Sequence, residues 1–110
     1  MASYPNTVHF TGLNRPVQRE VSLPDLKVEG TIPPEVQGAF FAAVPDPAHP
    51  PMFEDEIALA GDGMVRRFLF EGGKVSYDIR YVRTARYEAE RKAGRSLFGN
   101  YRNPFTDLPR

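Results

Sequence analysis

At 110 residues the chain has room for one domain with a modest core, which excludes multi-domain architectures. Fourteen Lys and Arg balance fourteen Asp and Glu, so no net field gathers phosphate backbones or anionic bilayers, and neither nucleic acid nor membrane is an expected partner. Cysteine is absent, which removes disulfides, thiolate nucleophiles and Cys-type zinc sites; with no leader-like start and no long apolar stretch, a soluble cytoplasmic protein is expected.

Residues 1–34 are mostly polar with isolated apolar positions and predict an extended amino-terminal arm, leaving 35–110 for the first strands and helix of a domain. Gly38 to Val44 is a short apolar run closed by Pro45-Asp46-Pro47, too brief for a helix and bounded like a buried strand. Four prolines between Pro45 and Pro51 remove amide donors and predict a stiff surface connector. A brief strand is expected at Ile57-Ala58-Leu59, then a turn at Gly61-Asp62-Gly63.

Met64 to Phe70 and Lys74 to Val82 flank Glu71-Gly72-Gly73, and Val75, Tyr77, Ile79 and Tyr81 alternate with Ser76, Asp78 and Arg80. Period two around a glycine pair predicts a β-hairpin with Tyr77 and Ile79 on its buried face. Ala85 to Gly94 is rich in helix formers, sets Glu88 four residues before Lys92 and ends at a glycine suited to a helix stop, which predicts a short exposed helix. Three or four strands and one helix bury too little apolar surface to offset chain entropy comfortably, so these elements read as part of something larger.

Local motifs do not name a chemistry. His9 and His49 are the only histidines, and two imidazoles in loop segments fall short of a three- or four-ligand metal site; both read as ordinary surface residues. Phe53-Glu54-Asp55-Glu56 lacks the alternation and turn glycine of a calcium loop and reads as a solvated acidic loop. Gly61-Asp62-Gly63 would need a glycine at 66 to make a dinucleotide fingerprint, and Arg66 stands there. No serine sits in a G-x-S-x-G context.

Specificity comes from ordered segments: EGTIPPEVQGAFFAAVPDP, GDGMV, YDIRYVRTARYEAERKAGR and FGNYRNPFTD. Together, from about Leu23 onward, they resemble the carotenoid-cleavage oxygenase family, and within it the bacterial lignostilbene dioxygenase branch. One departure is Ala42, where many members of that family carry an arginine after the paired aromatics. The resemblance implies an all-β fold, the first part of a seven-bladed β-propeller with a short helix, incomplete in this chain. It implies iron(II) held by four histidines from several blades; neither His9 nor His49 matches a ligand motif, so the metal ligands and catalytic residues are expected outside this chain, which alone is inactive.

The implied substrates are a phenolic stilbene and dioxygen, and the implied products of cleaving the interphenyl double bond are aromatic aldehydes. Apocarotenoid or resveratrol cleavage is the near alternative, and a non-enzymatic β-rich interaction module is the alternative from another class. Tyr101, in FGNYRNPF, matches the position where the branch sets a tyrosine against the substrate 4-hydroxyl, with Leu59 as an apolar wall of the same pocket. A homodimer, or a dimer with a related isozyme subunit, is implied by the branch.

Overall fold

The computed structural model describes residues 3–107. Two compact units form: a sheet unit from Arg19–Val44 and Met64–Tyr81, and a loop-and-helix unit from the residues through Gln18, Pro45–Gly63 and those from Val82 onward.

The sheet has four strands, β1 (Val21–Leu23), β2 (Gly38–Pro45), β3 (Gly63–Glu71) and β4 (Lys74–Tyr81), in the order β1-β4-β3-β2. β3 and β4 are the expected hairpin, antiparallel from Glu71 opposite Lys74 to Met64 opposite Tyr81. The link is the two-residue turn Gly72-Gly73, whose φ angles of +59° and +77° both lie in the left-handed region that a turn matching strand twist demands. One face carries Met64, Val75, Ile79 and Tyr81, all buried. On the same face Tyr77 is half-buried, its ring 4.8 Å from that of Phe68, which lies 6.4 Å from Phe40.

The opposite face carries a polar network beside Val65 and Phe41. Asp78 accepts from Ser22 Oγ at 2.7 Å and from Arg67 at 2.6 Å, while Arg80 donates to the Val21 carbonyl at 2.8 Å and to Ser22 Oγ. The Ser22 hydroxyl, then Arg67, hold the Asp78 carboxyl below the usual carboxylate range.

In the loop-and-helix unit the proline-rich segments offer few strand partners, so exposed amides would be orphaned if buried carboxylates did not meet them. Asp46 accepts from the Val17 and Gln18 amides at 2.7 and 3.2 Å, and Asp62 accepts from the Ala48 amide at 3.0 Å. Gly61 is required there, because a Cβ would meet the Pro47 nitrogen at 2.9 Å. Tyr4 donates to the Pro47 carbonyl at 2.6 Å; burial, then the Asp46 and Asp62 charges, push its hydroxyl well above the ordinary tyrosine value. The helix α1 (Ala85–Ala93) starts at Thr84, whose side chain accepts from the Tyr87 amide, and stops at Gly94, φ +73°.

Several expectations change. The run Gly38–Val44 lies in a strand, but it is not buried: β2 is the edge of the sheet, and Phe40 and Phe41 are each 60% exposed. Ile57–Leu59 is no strand; Ala58–Ala60 form a 3-10 turn. The polar arm holds β1, which adds to the free edge of β4 with Val21 opposite Ile79. Helix α1 is not simply exposed, because Tyr87 and Glu90 are buried, and its ion pair is Arg86 with Glu90 at 2.9 Å. Asp46 is buried inside what read as a surface connector.

Candidate functional site

Tyr101 and Leu59, the two residues singled out for substrate contact, both lie in the loop-and-helix unit. The segment carrying Tyr101 is pinned residue by residue. Glu90, 2% exposed, accepts from the Leu97 amide at 2.8 Å; Asp107 accepts from the Gly99 amide at 2.7 Å; Thr106 Oγ1 accepts from the Asn100 amide at 2.7 Å. The chain then reverses, with the Asn103 amide donating to the Asn100 carbonyl at 3.0 Å and Arg102 at φ +60°. A non-glycine residue in that region carries backbone strain, so the turn is held by its surroundings.

The turn carrying Leu59 is held as firmly. His9 Nδ1 accepts from the Ala58 amide at 3.2 Å, Arg86 donates to the Ala60 carbonyl at 2.9 Å, and Glu56 Oε1 accepts from the Ile57 amide at 2.9 Å. The same Glu56 carboxylate accepts from the Tyr101 amide at 3.1 and 3.3 Å, and neighbouring Asp55 accepts from Asn100 Nδ2 at 3.0 Å. Thus the 55–59 and 100–101 segments are joined through acidic side chains. Glu56 is only 8% exposed, which corrects the reading of Phe53–Glu56 as a wholly solvated loop.

The side chains of Tyr101 and Leu59 are 48% and 63% exposed, so neither ring nor isobutyl group is core within this chain. Tyr101 borders an open groove with Arg86, Phe98, Asn100, Arg102 and Pro104. A phenol in that position can donate or accept one hydrogen bond, and exposed leucine offers apolar contact. Recognition is the chemistry these groups support. Among the described residues no group of three His, Cys, Asp or Glu side chains is arranged to hold a metal ion, and His9 uses its Nδ1 lone pair on the Ala58 amide. Sequence reasoning missed Glu56 and Glu90, whose amide partners lie 45 and 7 residues further along the chain; no local pattern marks either.

Residues 14–110 match the family described as retinal pigment epithelial membrane protein. The chain is 49% identical over 107 residues to lignostilbene-α,β-dioxygenase isozyme III of Sphingomonas paucimobilis, covering 97% of this chain and 22% of that protein. It is also 49% identical over 104 residues to resveratrol cleavage oxygenase 1 of Chaetomium globosum, covering 94% of this chain and 18% of that protein. A crystal structure of Pseudomonas brassicacearum lignostilbene dioxygenase superimposes with a TM-score of 0.94 at 45% identity, over 98% of this chain and 23% of that one. The chain therefore spans about a fifth of the length of the relatives it matches.

Proposed function

The chain belongs to the retinal pigment epithelial membrane protein family, that of the carotenoid-cleavage oxygenases, and on that premise we propose that it is part of an enzyme cleaving the interphenyl double bond of phenolic stilbenes. Dioxygen supplies one oxygen atom to each carbon of the broken bond, so the products are two aromatic aldehydes and the atoms balance with no further co-reactant. The observation that carries this reading is the near-complete superposition on a lignostilbene dioxygenase, with Tyr101 exposed at the edge of a groove instead of packed away.

Iron(II) is part of the same reading, and supplies the dioxygen chemistry when bound. The described residues do not fit it, since only two histidines are present and one is committed to an amide. Its ligands belong to the remaining four-fifths of the protein, and so do the catalytic groups. The four-stranded sheet, with β2 at its edge, is the start of the family's propeller, and 1–34 serve as the arm that lends β1 to it. Dimerisation and a cytoplasmic setting complete the proposal.

The task of these residues is to hold the substrate. Tyr101 bonds the 4-hydroxyl of one ring and orients the conjugated bridge, while Leu59 packs against the ring face. Lignostilbenes and resveratrol share a phenolic ring on the double bond, so this mode serves both, and the two equally similar relatives give no ground for separating them. The test is Tyr101→Phe in the complete enzyme, assayed on a 4-hydroxystilbene and on its 4-methoxy analogue. Loss of one hydrogen bond should lower kcat/KM for the hydroxyl substrate by between a few-fold and about a hundredfold, the upper end applying to a phenolate partner. Unchanged discrimination between the two substrates would remove Tyr101 from the site.

A further inference from the structure

We propose that Glu56 is a positioning residue for phenol recognition, its buried carboxylate fixing the backbone of Tyr101 to the turn that carries Leu59. The inference rests on the reading of Tyr101 as the phenol-binding residue and names what sets its place. A carboxylate costs a great deal to bury unless charge-assisted hydrogen bonds satisfy it, so its position in a folded chain is a strong constraint on its donors. Glu56 is 8% exposed, and both its oxygens are engaged by the backbone: Oε1 by the Ile57 amide at 2.9 Å, and both oxygens by the Tyr101 amide at 3.3 and 3.1 Å.

One side chain thereby ties together two stretches that are 45 residues apart. Asp55 repeats the contact one residue earlier on each side, accepting from Asn100 Nδ2 at 3.0 Å. Two successive acids grip two successive residues, and the next residue, Arg102, is held at φ +60°. Neither Tyr101 nor Leu59 is buried, Tyr101 being about half exposed at 48% and Leu59 63% exposed, so burial of the side chain does not by itself fix either one. Their relative placement is set through the backbone, and Glu56 bonds both segments through the Ile57 and Tyr101 main-chain amides.

Hydrogen bonds between hydroxyls weaken steeply with distance and angle, so a loosened Tyr101 backbone reads out as weaker phenol recognition. The experiment uses the complete enzyme as Glu56→Ala, Glu56→Gln, Tyr101→Phe and the double variant Glu56→Ala/Tyr101→Phe. The quantity is the ratio of kcat/KM for a 4-hydroxystilbene to that for its 4-methoxy analogue. Glu56→Ala is expected to lower the ratio by about three- to tenfold, chiefly through KM of the hydroxyl substrate. Glu56→Gln, with one acceptor left, should fall between, and the double variant should be no lower than Tyr101→Phe.

An unchanged ratio in Glu56→Ala beside a collapsed one in Tyr101→Phe overturns the role of Glu56 and leaves the function intact. Equal losses on both substrates also overturn it, since they mean Glu56 only supports the fold. Should Glu56→Ala fail to accumulate as soluble protein, Glu56→Gln decides alone, an unchanged ratio counting against the proposal. A ratio unmoved by Tyr101→Phe overturns the reading beneath it, a result distinct from the others.

Discussion

Glu88 and Glu90 sit two residues apart on α1 and look alike in the sequence, yet the structure predicts very different consequences for removing them. Glu88 is exposed, whereas Glu90 is 2% exposed and accepts from Arg86 Nε at 2.9 Å and from the Leu97 amide at 2.8 Å. Losing one partner of a fully buried ion pair costs about 3–5 kcal/mol. Arg86 is 36% exposed in its side chain and recovers water when released, which brings the expected cost of Glu90→Ala to about 2–4 kcal/mol. Glu88→Ala should cost at most about 0.5 kcal/mol, as a surface change with only a weak helix-dipole contribution. Urea unfolding of the complete enzyme, read as a shift of midpoint at constant slope, measures both. A Glu90→Ala midpoint within error of Glu88→Ala would show that the buried pair contributes nothing and would refute the reasoning.

Asp78 supplies a pH signature. Its folded value is depressed, chiefly by the Ser22 hydroxyl and then Arg67, so the stability it contributes is present above the unfolded carboxylate range and is lost as pH falls through the lower folded value. The midpoint difference between wild type and Asp78→Asn should therefore be present at neutral pH and vanish below that range; a difference that grows on acidification would contradict the assignment. The ligand count predicts that the 110-residue chain alone takes up iron(II) well below one equivalent, measured by metal analysis after desalting, while the complete enzyme retains about one.

Much of the sheet was legible because its signals are local. Val75, Tyr77, Ile79 and Tyr81 alternate within one strand, Gly72-Gly73 supply the positive φ angles at the turn, and β3 pairs with β4 in the register this pattern requires. The Gly94 stop of α1 is equally local, whereas the Thr84 cap emerged only from the structure. What failed depended on distant partners. Ile57 suggested a strand, but Glu56 beneath the Ile57 amide, His9 on Ala58 and Arg86 on Ala60 stabilise a turn instead. β1 is three residues in a polar stretch and exists because β4 offers it an edge.

The candidate site divides in the same way. Tyr101 and Leu59 came from the family resemblance, and their exposure is a structural finding that periodicity does not encode. Buried acids such as Asp46, Glu56 and Glu90 read as solvated because charge is ordinarily outside; only the folded chain shows that amides up to 45 residues away need them. β2 shows the reverse error. Its apolar run implied burial, and Phe40 and Phe41 remain open within the fifth of the relatives' length that this chain represents.

The central claim, a phenolic-stilbene cleaving oxygenase, is tested most directly by offering the complete iron-loaded enzyme three substrates in air: a 4-hydroxystilbene, its 4-methoxy analogue and an apocarotenal. Aldehyde products are quantified for each, and kcat/KM is compared. The account predicts two aldehydes per 4-hydroxystilbene consumed, a kcat/KM about tenfold or more above that of the methoxy analogue, and weaker turnover still of the apocarotenal. Faster cleavage of the apocarotenal, or equal use of the hydroxyl and methoxy stilbenes, would contradict it.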